Sequence, residues 1–348
     1  MIGISFYLHD EQAEERIWEA GRLGVKHAFT SLHIPEDKGD MAQKAKVLLA
    51  AAKEAGIQVF ADVSAGTPAK LGLSSFSSLK SLGVTGLRLD DGFKAMEAAE
   101  ISKEFSIAVN ASILFERELQ DLFSHGAAPD SIVAWHNFYP RRETGLDDAF
   151  FRKQNQLFKQ YGMSTAAFIP GRMAKRGPLF EGLPTLEKHR SADPVHAAIE
   201  LQQLDTDHVF IGDADFSDGL LEDLLLYSCE NTIKIKISSD IPLKKNYKVR
   251  PDLSRDVIRL LNTRTEDSVP PFRCVARKAG SLTMDNDLYG RYRGEIQIVK
   301  HHLPADERVN VIGWTAESDL PLLELIQPGQ KLLFIQDEEN KRLGGWDR

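Results

Sequence analysis

Two periods alternate along the first two-thirds of the chain. Short runs of β-branched, small and aromatic residues at 2–8, 27–34, 58–63, 86–90, 107–112, 131–138, 164–169 and 208–213 read as buried strands. Between them the apolar residues recur at helical spacing. Asp10–Leu23 puts Ala13, Ile17 and Ala20 on one face, and Asp40–Ala55 does the same with Met41, Ala45, Leu48, Leu49 and Ala52. The segments AGRLGVKHAFTSL, AKEAGIQVFADV, KSLGVTGLRLD and KQYGMSTAAFI, and more loosely LFSHGAAPDSIVAWHN, repeat one phrase, in which a helix stops at Gly and a strand follows. Gly24, Gly56, Gly83, Gly126 and Gly162 are therefore read as helix C-caps. The last helical pattern is SDGLLEDLLLYSCEN at 217–231.

Strand–helix alternation predicts a parallel sheet, and about eight such units predict a closed (β/α)8 TIM-like barrel. A doubly wound sheet is the rival, but no Gly-rich fingerprint follows the first strand. After about residue 235 the alternation stops. NTIKIKISSD, PPFRCVARKAG, GEIQIVKHHLP, RVNVIGWTA and KLLFIQDEE read as short strands between Pro, Gly and Asp turns, with one helical stretch, SRDVIRLLN. The expected organisation is a barrel over 1–235 and a small, mainly β barrel unit over 236–348.

Charge and composition narrow the partners. A net charge of −8 argues against nucleic acid, because phosphate binding needs a basic face. Two cysteines, Cys229 and Cys274, are too few for a disulfide framework or a thiolate metal site. The first residues, MIGISFYLHDEQAEE, lack a basic n-region, and no stretch approaches the roughly 18 apolar residues of a membrane span. A cytoplasmic protein with a small-molecule partner and no membrane is expected.

Barrel enzymes place their chemistry where strands end and βα loops begin. Collected by that rule, the ends offer Ser5, Tyr7, His33, Glu36, Asp62, Asp90, Asn110, Ser112, His136, Asn137 and Asp213. A single Asp after a strand is more often a helix cap, as Asp91, Asp147 and Asp148 are read here. Asp62, Asp90 and Asp213 instead end apolar strands, and Glu36 follows one, so these four are the candidate catalytic acids. Strands about 4.8 Å apart bring Asp62 and Asp90 near the roughly 5–9 Å separation of paired glycosidase carboxylates. Asn110 and Ser112, with only Ala108 before them in the same row, read as a lining that leaves space for a ligand. His9, His33 and His136 lack a compact metal-ligand spacing, and no strand ends in a lysine for pyridoxal phosphate, so no metal and no cofactor is expected.

The segment WHNFYPRRETG raises its own question, since an apolar strand ends there in an imidazole, an amide, aromatics and two guanidiniums. Arg141 and Arg142 stand just beyond the strand, and a second basic group fills the long loop RMAKRGPLFEGLPTLEKHR (172–190), which holds Arg176, Glu187, His189 and Arg190. Arginine is the preferred fork for phosphate oxygens, so an acidic chain with arginines grouped at the mouth points to an anionic small substrate. Phe138 and Tyr139 offer stacking faces, while Trp135 is placed in the core.

The motifs SFYLHD, FTSLHIPED, DVSAGTPAKLG, LRLDDGF, NASIL, HNFYPRRETGL, RGPLFEGLPTLEKHR and FIGDA, in that order, resemble the 6-phospho-N-acetylmuramidase family. The resemblance continues through RDVIRLLN and AGSLTMDNDLYGRYRGEIQIVKHHLPADERVNVIG. It implies a TIM-like barrel followed by a cyclophilin-like β domain. It also implies a cytoplasmic hydrolase for the β-1,4 bond of N-acetylmuramic acid 6-phosphate–N-acetylglucosamine, a disaccharide of cell-wall turnover. A metal-dependent phosphosugar isomerase or aldolase, and a surface-displayed carbohydrate-binding protein, stay open as alternatives. The substrate carries a phosphate and a lactyl carboxylate, which matches Arg141, Arg176 and Arg190. Asn286, Tyr289 and Arg291, in MDNDLYGRYRGE, are read either as part of a β-hairpin connection or as a loop that closes over the sugar phosphate, on this subunit or on a second one.

Overall fold

In a computed structural model, residues 1–32, 41–90 and 92–337 are described. His33, Glu36 and Asp91 lie outside them. The chain divides into two compact units, Met1–Leu224 and Leu225–Arg348.

The first unit is a closed parallel barrel. Its strands are β1 (Ile2–Phe6), β2 (His27–Ser31), β3 (Gln58–Val63), β4 (Val84–Leu89), β5 (Ser106–Asn110), β6 (Ile132–Trp135), β7 (Ser164–Ile169) and β8 (His208–Ile211). Each pairs with the next, and β1 closes the ring on β8 through Ile2 and Gly3 against Val209 and Phe210. The five predicted helix stops all sit at positive φ, between 73° and 105°, where a Cβ is costly. Helix Ala13–Arg22 buries Ala13, Ile17 and Ala20, the stripe read from the sequence.

The barrel interior is filled by aromatic rings. Phe29, Trp135, Phe168 and Phe210 interlock, with Trp135 and Phe210 centroids 4.2 Å apart and Phe29 and Phe168 5.1 Å apart. Rings of this size fit because neighbouring inward positions are small. Ala108 and Ala166 belong to the same cluster, and a Cβ on Gly86 would lie 2.4 Å from the Phe60 ring.

The strands of the second unit are β9 (Thr232–Ser239), β10 (Asn246–Lys248), β11 (Val257–Arg259), β12 (Ser281–Asp285), β13 (Ile296–Val299), β14 (Val309–Thr315) and β15 (Lys331–Gln336). They form a curled, mixed seven-stranded sheet ordered β10-β15-β9-β14-β12-β13-β11. Position 235 falls within β9, which lies wholly in this sheet. Two sequence readings need correction here. SRDVIRLLN contains no helix. Ile258 and Leu260 are buried while Val257 and Arg259 are half-exposed, which is strand alternation, and β11 pairs antiparallel with β13. PPFRCVARKAG is not a strand but a loop held by side chains, as where the Phe272 amide donates to Asn310 Oδ1 at 3.0 Å.

Trp135 is 1% exposed, and its indole N–H has no acceptor among the described residues. Trp135→Ala should therefore cost about 3–5 kcal/mol in denaturant unfolding of the barrel. Trp135→Phe removes an unpaired donor and should cost less than about 1.5 kcal/mol. Equal losses would mean that the indole N–H is bonded.

Candidate active site

The C-terminal ends of β3, β4 and β6 meet on one side chain that the sequence reading did not single out, Arg88. It sits in β4 between Leu87 and Leu89 and is 4% exposed. Its Nη1 donates to Asp62 Oδ1 at 2.7 Å and lies 3.9 Å from Asp90 Oδ1. Its Nη2 donates to Asn137 Oδ1. Parallel register explains the convergence, because Asp62 pairs with Arg88 and Arg88 with Ala108. Ala108 is small enough for the guanidinium on β4 to reach past β5 to the amide that follows β6. The room reserved for a ligand beside Ala108 is thus crossed by Arg88. The available signal was a lone arginine inside an apolar strand, two residues before Asp90.

The two acids differ in setting. Asp62 is mostly buried, and burial raises its pKa while the Arg88 charge pulls it back. Its second oxygen accepts from Ser31 Oγ at 3.4 Å. The Asp90 side chain is 37% exposed, and its amide continues the ladder to Val63 O at 3.1 Å. Asp213 is placed apart from this pair and is 0% exposed. Both its oxygens are taken by the β7 loop, from the amides of Gly171 at 2.9 Å and Arg176 at 2.8 Å. Burial raises its pKa, and those amides oppose the rise.

Behind Arg88 the polar residues form a second layer. Asn137 receives Arg88, while its amide donates to Ser112 Oγ at 3.0 Å and its carbonyl accepts from Thr185 Oγ1 at 2.9 Å. Asn110 turns the chain by accepting from the Ser112 amide at 3.1 Å. His136 is fully buried, its Nε2 2.9 Å from Asn155 Oδ1 and its Nδ1 3.4 Å from Ser112 Oγ. Tyr139 is half-buried, and its amide donates to Pro184 O at 2.9 Å.

The arginines sort into paired and unpaired. Arg190 joins Glu187 through Nε at 2.6 Å and Nη2 at 2.7 Å, and also donates to the carbonyls of Tyr139, Arg141, Glu181 and Gly182. Glu187 accepts in turn from the Glu143 and Gly145 amides, so this ion pair ties the loop after β6 to the loop after β7. The approach is close, since a Cβ on Gly145 would lie 2.6 Å from the Glu187 amide nitrogen. His189 is buried against Glu200 at 2.8 Å, and Arg142 pairs with Glu181. Arg141 is exposed, and its side chain has no partner among the described residues. Arg176 is half-buried, with its guanidinium 4.3 Å over the Tyr7 ring and 5.7 Å from that of Phe138, and it pairs with no carboxylate among the described residues. Tyr7 donates to Gly212 O at 2.7 Å, and burial pushes its pKa up to about 12.

Asn286, Tyr289 and Arg291 belong to the second unit, in the connection between the antiparallel strands β12 and β13. Asn286 is fully buried and donates to Glu307 O and Asn310 Oδ1. The Tyr289 ring carries Arg308 at 4.6 Å, and Arg291 donates to the Tyr292 hydroxyl at 3.0 Å. Among the described residues no three His, Cys, Asp or Glu side chains form a metal-holding group, and no helix is long and apolar enough to cross a membrane.

Two family models match the chain in succession. The 6-phospho-N-acetylmuramidase N-terminal model covers residues 2–225, and the 6-phospho-N-acetylmuramidase C-terminal model covers 228–335. The chain is similar to the crystal structure of a conserved protein of unknown function from Enterococcus faecalis, with 34% identity, 99% of each chain covered and a TM-score of 0.87. It is also similar to an uncharacterized B. cereus protein, at 28% identity over 96% of this chain and 99% of that one, with a TM-score of 0.78. No curated protein matches it.

The Glu187 staple has a pH signature. Bonds from Arg190 first, then from the Glu143 and Gly145 amides, hold the folded carboxyl at about 2, below its ordinary 4.5. A depressed folded pKa means that the stabilisation is complete above about pH 4.5 and is lost as pH falls toward 2. The protection of the two loops, measured against the intrinsic exchange rate at each pH, should therefore fall between pH 4.5 and 2. Glu187→Gln should show fast exchange already at pH 6 and no further step on acidification.

Proposed function

The chain belongs to the 6-phospho-N-acetylmuramidase family, and on that premise we propose that its barrel hydrolyses the β-1,4 bond of N-acetylmuramic acid 6-phosphate–N-acetylglucosamine in the cytoplasm, during cell-wall recycling and without a cofactor. The observation that carries this reading is the pair of carboxylates, Asp62 and Asp90, gathered on one buried guanidinium at the ends of adjacent strands. Glycoside cleavage needs one carboxyl to protonate the leaving oxygen and a second to meet the developing positive charge. Asp62 is the proton donor, because burial favours its neutral form. Asp90, the more exposed, is the second carboxylate, and it acts on the anomeric carbon or on an acetamido group that attacks for itself.

The two Oδ1 atoms lie 2.7 and 3.9 Å from the same nitrogen, so they are no farther apart than the sum of those distances. That limit takes in the roughly 5–5.5 Å of retaining pairs and reaches only the lower edge of the roughly 6.5–9.5 Å that inverting enzymes keep for a water, which favours a direct role for Asp90 over activation of a water. Both routes open to Asp90 therefore retain the anomeric configuration. Glu36, the fourth candidate acid, lies outside the described residues, and Asp213 serves by holding the β7 loop. Arg176 is the grip for the substrate's anionic groups, because stacking on Tyr7 pre-orients it and no carboxylate among the described residues neutralises it. Arg141 is the secondary grip.

The purified protein, offered the disaccharide with and without its 6-phosphate, should cleave the phosphorylated form, and fresh product should show the β anomer by NMR. Equal turnover of the two would overturn the phosphate assignment. Asp62→Asn should lower kcat/KM by about 10²–10⁴-fold on any substrate. Arg176→Lys keeps the charge but loses the fork, and should cost roughly 10- to 150-fold on the phosphorylated substrate only. Arg141→Lys should cost less than Arg176→Lys, and the reverse order would exchange their roles.

A further inference from the structure

We infer that Asn155, His136 and Ser112 are positioning residues, which aim Arg88 through Asn137 and so govern the readiness of Asp62 to give up its proton. The inference rests on the reading of Asp62 as proton donor.

The chain of bonds has one polarity from end to end. Asn155 lies on helix Asp148–Gln160 and is fully buried. Its Nδ2 donates to Leu204 O at 2.7 Å and reaches Thr206 Oγ1 at 3.4 Å, so the atom turned to His136 is the carbonyl oxygen. An oxygen that only accepts requires the proton of the imidazole to be on Nε2, 2.9 Å away. Nδ1 is then an acceptor and takes the Ser112 hydroxyl proton across 3.4 Å. With its proton committed, Ser112 Oγ accepts the Asn137 amide at 3.0 Å. Asn137, pinned also through its carbonyl by Thr185, presents Oδ1 to Arg88, whose other nitrogen holds Asp62. His136 thus works as a neutral spacer of fixed tautomer.

A charged ring would break this order, because both its nitrogens would donate and the Ser112 proton would lose its acceptor. The surroundings oppose the charge. Phe151 packs on the ring at a centroid distance of 4.4 Å, Arg88 is a charged group facing it, and the Tyr139 hydroxyl bonds to Ser112, where it is the donor once the serine proton is given to His136. Burial first, with Arg88 adding to it, takes the ring pKa down to about 4 against the pull of the Asn155 contact.

The sign of the effect follows from Arg88. A donor must be protonated, so activity falls as pH rises past the pKa of Asp62, and Arg88 lowers that pKa. If Ser112 is lost, Asn137 and Arg88 are less firmly aimed, the pKa rises, and the basic limb of the rate profile moves to higher pH. Ser112→Ala should show this upward shift with kcat down about 2- to 10-fold and KM nearly unchanged, and Ser112→Thr should restore both. A Ser112 of merely structural importance would lower stability and leave the limb in place, which would overturn the inference. Nitrogen-15 NMR of His136 in the wild-type protein gives a readout independent of activity. The Nε2–H tautomer, neutral at pH 5, is expected, and an Nδ1–H tautomer or an imidazolium would overturn the inference. If Asp62→Asn leaves the rate and its basic limb intact while the tautomer is as expected, the proton-donor reading fails and the bond chain stands as architecture alone.

Discussion

A guanidinium enclosed in a barrel mouth cannot shed its proton, so its charge must be met where it stands. Desolvating such an ion costs several kcal/mol unless partners of good geometry surround it. At 4% exposure, Arg88 imposes that requirement on everything near it. Asp62 and Asp90 supply the countercharge, Asn137 supplies a neutral acceptor, and Ala108 supplies clearance. Two carboxylates would repel each other at this separation. The cation between them makes their approach stable, and that approach is what glycoside cleavage needs.

The remaining basic residues of the barrel mouth divide between architecture and recognition. Arg190 is consumed by Glu187 and four carbonyls, Arg142 by Glu181, and Arg172 by Asp193, Asp218 and Asp223. These pairs hold a loop of some twenty residues that has little secondary structure of its own, while Asp213 collects its amides from beneath. Arg176 differs because its neighbours are ring faces, which orient a cation without neutralising it. In a chain of net charge −8, a pre-oriented cation with no carboxylate partner among the described residues is where an anionic ligand gains most.

The barrel was legible in the sequence because both its periods are strongly expressed and its helices stop at glycine. Strand ends were read too long where polar and aromatic residues keep alternating. His136–Tyr139 continue the pattern of β6, yet Tyr139 bonds to Pro184 in the next loop instead of a ladder partner. Within VIRLL the apolar residues fit a helical and an extended spacing alike, and only pairing with β13 decides between them. In the site, Asp62 and Asp90 were legible as acids ending apolar strands. The role of Arg88 was not, because Asn137 is 49 positions away and register alone brings the two together. His136 looked like a strand-end ligand group, and its burial depends on Asn155, which a helix stripe conceals among core positions.

On the proposed assignment of Asp62 as proton donor, the separate anchoring of Arg88 bears on how that donor works beside a permanent cation. The proton affinity of Asp62 is the balance of burial, which raises it, and Arg88, which lowers it. A sugar that closes the mouth excludes water and strengthens both influences together, so the balance is decided by where the guanidinium sits. Were Arg88 held by Asp62 alone, protonating that carboxylate would release the cation and disorder the site in mid-reaction. A neutral amide, itself fixed through Ser112 and Thr185, holds the other side of the guanidinium. The carboxylate can then gain and lose its proton while the cation stays in place, and the second acid meets the same geometry in both protonation states.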